Sequence, residues 1–382
     1  MLTSKHTIYL SKNHNLDGSD GNSTNVFLFN ENGKKVQAKW LRKSIEQNNG
    51  NFVVLDHNNV ILDEIKGVLT KRNYYLEVVD FDNPVDGVKI NPFDLVSNAS
   101  EIHFMFLNFL YALWDNTDSD IAVMSNLMDA FASCVYQMFS NNKEKLNMRT
   151  LKKMIYSVRA TCQTEDGISK MSDEIFRNIK DQNSMPVKYY NQFVRAAGDR
   201  KDEIAEKLAS AFDILTENDL IMMDETDDSL EASLNFKTAV FVNVKRVEHE
   251  TSAKIMMTLL NALVQNSVES KQTLFVLDSL DAKRCLIGLP LWLKDSIAYN
   301  MSFIVMCDDL ASFKKTQEAE RFFQNLRKVT DASVLMHHND DILKFENELP
   351  NSGEELGLYM KQNCLAQVLI PRMEISVQEQ VL

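Results

Sequence analysis

The sequence predicts an α/β protein: a doubly wound, mostly parallel sheet interrupted by an all-helical insertion. Three observations predict it. Short apolar runs alternate with segments of helical period toward both ends of the chain. Between about 99 and 216 no run reads convincingly as a strand. Glycine and proline are scarce, 11 and 6 in 382 residues, which favours long helices over a turn-rich all-β fold. With 45% apolar residues the chain can bury a sizeable core, and its length suits two domains or one domain with a large insertion.

The elements follow in order. Residues 7–10 read as a short strand, and NHNLDGSDGNSTN as a loop. Residues 26–29 are a strand and 35–47 a helix-like segment. NFVVLDHNN is an apolar run ending in Asp56, the signature of a strand buried on both faces. ILDEIKGVLTKRN places Ile61, Ile65, Val68 and Leu69 at helical spacing, and YYLEVVDF is a further strand. This β-α-β-α-β order calls for parallel pairing with right-handed crossovers. KINPFDLV breaks the pattern, and helical periods then cover 102–114, 118–139, 148–160, 169–180 and 188–215. MMDETDDSLEASLN is an acidic connection. The alternation resumes with strands at TAVFVNV, TLFVLDSL, MSFIVMCDD and ASVLMHH, separated by helices, and ASVLMHH is expected to be the last strand.

In such sheets ligands collect beyond the carboxyl ends of the strands. One of these ends is the stretch NVFLFNENGKK. A phosphate-binding loop needs G-x-x-x-x-G-K-[ST]: backbone N–H groups face the phosphates, lysine neutralises them and a hydroxyl holds Mg2+. Gly33-Lys34 is present, but Leu28 stands at the first glycine position and Lys35 at the hydroxyl position. From these residues alone an altered loop, a ruined one and an ordinary strand–turn–helix all remain open. Asp56 and Asp278 close apolar strands, as does an aspartate that holds Mg2+ through water, with helix cap or loop residue as the plain alternative for Asp278. The residue after Asp278 is Ser279, which cannot serve as the general base that a glutamate supplies there.

Charge and cysteines exclude several classes. A net charge of −13 argues against strong non-specific nucleic-acid binding, which relies on lysine and arginine displacing counterions. One local exception is KEKLNMRTLKKMIYSVR, where Lys143, Lys145, Arg149, Lys152 and Lys153 could line a contact with a DNA backbone or simply a solvated helix face. The five cysteines are scattered with no C-x-x-C pair, so neither a metal site nor a disulfide framework is expected. The most apolar run, IHFMFLNFLYALW, is too short to span a bilayer.

The order of these motifs resembles the conjugative coupling proteins of type IV secretion systems, the TraG-type family, over roughly residues 7–340. NVFLFNENGKK stands where that family has a strand and a glycine-rich phosphate loop. NFVVLDHNN is similar to a strand that there ends in Asp-Pro-Lys-Gly-Glu, of which Asp56 alone remains. The segment ending in Asn91-Pro92 resembles the family's Asn-Pro block. FVRAAGDRKDEIAEKLASAFDIL and NFKTAVFVNV resemble the end of the helical domain and the return to the sheet. TLFVLDSL matches the Walker B strand with serine in place of glutamate, and FIVMCDD matches a strand that normally ends in a γ-phosphate-sensing glutamine, here Cys307.

The resemblance implies a RecA-like domain made of residues 1–97 and 236–382, with an all-helical domain at 98–235 inserted between them. It makes Gly33, Lys34, Lys35, Asp56, Asp278 and Cys307 the remnant of a nucleotide site. Losing one oriented electrostatic group commonly costs about 10²–10³ in rate, so hydrolysis is expected to be negligible. The expected role is a pseudo-ATPase subunit or adaptor of a conjugation or secretion machine, with no catalytic residues, metal or cofactor. The alternative is a working DNA-translocating ATPase that uses ATP and Mg2+ through unconventional residues. An unrelated α/β protein with incidental strand-end acids is the third possibility. Expected partners are proteins of the apparatus and further subunits, with DNA as a weaker expectation. The family's membrane anchor lies ahead of the matched region, so this chain is expected in the cytoplasm, at the membrane's inner face only through a partner.

Overall fold

A computed structural model describes residues 7–11, 14–17, 24–30, 34–85, 87–113, 119–164, 167–226, 230, 234, 236–267, 272–281, 286, 288–307, 312–313, 315–330, 332–337, 357–361 and 364–369. They fall into two compact units. One comprises residues 1–79, 231–250 and 267–382, and the other residues 80–230 and 251–266.

The first unit contains a nine-stranded sheet. Its opening strands are β1 (Thr7–Ser11) and β2 (His14–Asp17), which form a separate antiparallel hairpin. The run read as a loop thus contributes a strand, too short and polar to show an alternating pattern. Then follow β3 (Asn25–Asn30), α1 (Lys34–Gln47), β4 (Asn51–His57), α2 (Val60–Lys71) and β5 (Tyr75–Val79).

The second unit contains α3 (Ala99–Leu113), α4 (Ile121–Phe139), α5 (Met148–Ile155), β6 (Thr161–Thr164), β7 (Gly167–Lys170), α6 (Met171–Arg177), α7 (Met185–Ala197), α8 (Lys201–Asp213) and α9 (Glu217–Met222). The chain then supplies β8 (Thr238–Val244) and α10 (Glu250–Asn266), which belongs to the second unit from Thr251 onward. Back in the sheet unit come β9 (Thr273–Leu277), α11 (Leu289–Asp295), β10 (Met301–Cys307), α12 (Gln317–Lys328), β11 (Ala332–His337), β12 (Gly357–Lys361) and β13 (Cys364–Leu369).

The sheet order is β12-β13-β11-β3-β10-β9-β4-β8-β5. Pairing is parallel from β11 to β5 and antiparallel for β12-β13 and β13-β11. The central strands are buried on both faces, which is why they read as unbroken apolar runs. On one face Val26, Leu28, Phe52, Val54, Ala239, Phe241, Leu274, Val276, Ile304 and Met306 form one core with Ala38, Leu41 and Ile45 of α1 and Ile61, Ile65 and Leu69 of α2. The alternate residues face the other way, where Phe275 stacks on Phe303 at 5.0 Å and Phe27 meets Phe323 of α12 edge-on at 5.5 Å. Helices therefore cover both faces of a mostly parallel sheet, as a doubly wound fold requires.

The second unit corrects the all-helical expectation in three places. Residues 161–164 and 167–170 pair as an antiparallel hairpin, turning at Gly167 with φ +123°. Its strands are four residues long and half exposed, so they carry no apolar alternation to read. The helix expected over 148–160 accordingly ends at Ile155 and passes through a short 3-10 turn, and that over 169–180 begins at Met171. The helix expected over 188–215 is two, α7 and α8, because Gly198 takes a left-handed φ of +55° between them. The strand expected to close the sheet, β11, is followed by β12 and β13. Around α4, buried from Leu127 to Val135, the core is aromatic: Phe131 lies 5.3 Å from Phe176, which stacks on Tyr190 at 4.1 Å.

Candidate functional site

The carboxyl ends of β3, β4, β8, β9 and β10 lie along one edge, because these strands run parallel. Strand register brings Cys307 opposite Phe29 and Asp56 opposite Asn243. Of the sequence-derived candidates, Gly33 lies outside the described residues, while Lys34 and Lys35 are the first two residues of α1. Cys307 is a buried thiol at the tip of β10.

Asp56 is fully buried, and its carboxylate faces the start of α2. Oδ1 accepts the N–H of Ile61 at 3.1 Å and Oδ2 that of Leu62 at 2.8 Å. A helix start leaves such donors without intrahelical partners, and a carboxylate there also suits the helix dipole. The turn between β4 and α2 runs through Asn58 and Asn59, both left-handed at φ +66° and +60°. Asparagine tolerates that region better than most side chains. Asn59 offers no side-chain cap of its own, so Asp56 caps the helix from farther back.

Asp278 is 2% exposed and also satisfied by this chain's own donors. Oδ2 accepts the backbone N–H of His57 at 3.1 Å, and Oδ1 accepts the hydroxyl of Ser279 at 3.1 Å. The N–H of Asp278 in turn donates to the Leu55 carbonyl at 3.2 Å, and that of Leu280 to Met306 at 2.8 Å. Ser279 is itself 2% exposed with φ +57°, turned toward its neighbour.

His57 was not anticipated. Its ring is buried between two carboxylates: Nδ1 lies 3.5 Å from Asp278 Oδ2 and Nε2 3.4 Å from Glu250 Oε2. Nδ1 makes no hydrogen bond of sound geometry, so its attraction to Asp278 is Coulombic. Burial pushes the imidazole pKa down, but Asp278 and Glu250 together outweigh it and hold it above the ordinary value. The available sequence signal was a polar ring following Asp56 in an otherwise apolar strand. Its partners lie 193 and 221 residues away, beyond any local pattern.

An aspartate that serves Mg2+ turns an oxygen to the ion or to its water shell. Both strand-end carboxylates here are turned to protein donors instead, and the Asp278 oxygen nearest His57 faces a ring held toward its cationic form. The donor set fits the ion poorly.

The five basic candidates differ in their surroundings. Arg149 binds Asp224 through Nε at 3.0 and 3.2 Å and pairs with Glu217. Lys152 donates to the Leu215 carbonyl at 2.8 Å, and burial lowers its pKa. Lys143, Lys145 and Lys153 are exposed. Among the described residues no cluster of three or more histidine, cysteine or acidic side chains could hold a metal ion, and no helix is long and apolar enough to cross a membrane.

No family model and no curated protein matches the chain. Solved structures do. The bacterial conjugative coupling protein TrwB, in a trigonal form with sulphate, aligns with a TM-score of 0.55 at 11% identity over 81% of this chain and 69% of its own. The plasmid coupling protein TrwB in complex with ADP and Mg2+ aligns at 0.56 and 12% identity, over 83% and 71%. VirB4 of Thermoanaerobacter pseudethanolicus aligns at 0.52 and 13% identity over 98% of both chains. This chain therefore has the RecA-like α/β fold of the conjugative coupling proteins and of VirB4.

Proposed function

We propose that the protein is a coupling-protein-like component of a conjugation or type IV secretion machine that does not hydrolyse ATP and serves as a subunit or adaptor beside an active ATPase. The observation that carries this is the state of the two strand-end acids. Asp56 caps a helix, Asp278 accepts from His57 and Ser279, and serine stands where the general base would be. Gly33, Lys34, Lys35, Asp56, Asp278 and Cys307 are then what is left of a nucleotide site. Residues 98–235, the inserted domain of this reading, offer the surface for protein partners. DNA contact would fall to Lys143, Lys145 and Lys153, since Arg149 and Lys152 are engaged within the fold. The chain would act on the cytoplasmic side of the membrane and reach it through a partner.

The test is a steady-state ATPase assay on the purified chain and on Lys34→Ala. Background-level turnover in both is expected, and turnover abolished by Lys34→Ala would overturn the reading. A second reading, an active ATPase with unconventional residues, is favoured by one observation: a structure of this fold holds ADP and Mg2+. Equilibrium binding of an ATP analogue with Mg2+ decides it, and the absence of binding at millimolar nucleotide removes it.

A further inference from the structure

We propose that the His57 ring occupies the flank of Asp278 where a nucleotide-hydrolysing site carries its divalent cation, and that it clamps Asp278 to Glu250 as a built-in substitute for that ion. His57 is here a positioning residue. The inference deepens the non-hydrolysing reading and rests on it.

Three features carry the argument. First, His57 approaches Asp278 twice, by its backbone N–H at 3.1 Å and by Nδ1 at 3.5 Å, both on Oδ2. A cation seeking that oxygen would have to displace a group fixed by the β4 backbone. Second, the far side of the ring meets Glu250 Oε2 at 3.4 Å, so one ring stands between two carboxylates. The side chains of His57 and Asp278 are 4% and 1% exposed. A buried carboxylate needs a positive or hydrogen-bonding counterpart, and here the protein supplies one without a metal. Third, Glu250 is the residue at which the chain leaves the sheet unit for the helical one. The clamp therefore ties the tips of β4 and β9 to the end of the 231–250 segment within the sheet unit, a task that a bound metal would perform only while present.

The experiment is Mn2+ binding to the full chain without nucleotide, followed by electron paramagnetic resonance, for the wild type, Asp278→Asn, His57→Ala and the double variant. The wild type is expected to show no Mn2+ binding that Asp278→Asn removes. His57→Ala is expected to bind Mn2+ at least about tenfold more tightly than the wild type, the size of effect that groups around a metal ligand commonly have. That gain should vanish in the double variant. Wild-type Mn2+ binding lost on Asp278→Asn would overturn the inference. So would folded His57→Ala with unchanged affinity. If His57→Ala does not fold, His57→Gln, uncharged and closer in size, carries the same expectation. ATP turnover dependent on Lys34 would sink the functional reading whatever Mn2+ does, and Asp278-dependent Mn2+ binding by the wild type would sink the clamp with or without turnover.

Discussion

Ser279 follows Asp278 in a left-handed backbone conformation, buried, with its hydroxyl on the aspartate. Restoring the missing carboxylate by Ser279→Glu is expected to give no ATPase activity. A glutamate at that position would be a buried acid beside another acid, and the variant should lose about 2–4 kcal/mol in urea unfolding. Asp56→Ala tests the other strand end. It strips two N–H groups of α2 of their acceptor, and a loss of about 1–2 kcal/mol is expected in the same measurement. Both aspartates were legible in the sequence because each ends an apolar run, and a run of that kind fixes where the strand stops. Their present partners were not legible. Neither the turn of Asp56 toward α2 nor the placing of His57 and Glu250 around Asp278 follows from spacing along one segment.

Elements were legible where burial was one-sided or complete, and illegible where it was shallow. The central strands and α2 read correctly because their side chains are sorted by the core. The β6–β7 hairpin and the break at Gly198 carry no such sorting, and only the glycine's left-handed φ marks the latter. The Asn-Pro block, noticed as a motif, has a structural use. The Asn91 amide donates to the Leu146 carbonyl at 2.7 Å and to that of Asp224 at 3.4 Å, and its Oδ1 accepts from Phe93 at 3.1 Å. It ties three segments of the helical unit together while 2% exposed. Asn91→Ala should cost about 1–3 kcal/mol through the buried carbonyl it strands, read as an earlier unfolding transition.

The same unit should lose stability in acid. Arg200 and Lys207 hydrogen-bond to Asp120 and hold its carboxyl down at about 2, and Arg159 with Tyr156 does the same for Asp213. A depressed carboxylate contributes stability above its unfolded value, near 3.9, and loses it as pH falls through the folded one. Melting temperature should therefore begin to fall below about pH 4, most steeply toward pH 2, and Asp120→Asn should shrink that fall.

At the scale of the molecule, the strand order interleaves the two ends of the chain. The sequence implied one sheet built from two halves, and periodicity carried that far. It could not show how the halves mesh, because partner choice in a parallel sheet depends on crossovers rather than on strand residues. β3 lies between β11 and β10, β4 between β9 and β8, and β5 against β8. β3, β4 and β5 thus take all their sheet neighbours from residues after 237, while β1 and β2 pair only with each other. A fragment of residues 1–97 alone is expected to show no cooperative melting by circular dichroism. Mixing it with residues 236–382 should restore a sheet signal if the halves can find one another.

That meshing bears on how the protein is made. When β5 leaves the ribosome, its partner β8 is still about 160 residues from synthesis. At typical elongation rates this leaves three apolar strands waiting on the order of ten seconds or more without a neighbour. Nascent β3, β4 and β5 are therefore natural clients for a holding chaperone, and residues 80–230 of the helical unit, translated in the interval, have time to begin folding before any of the sheet can close.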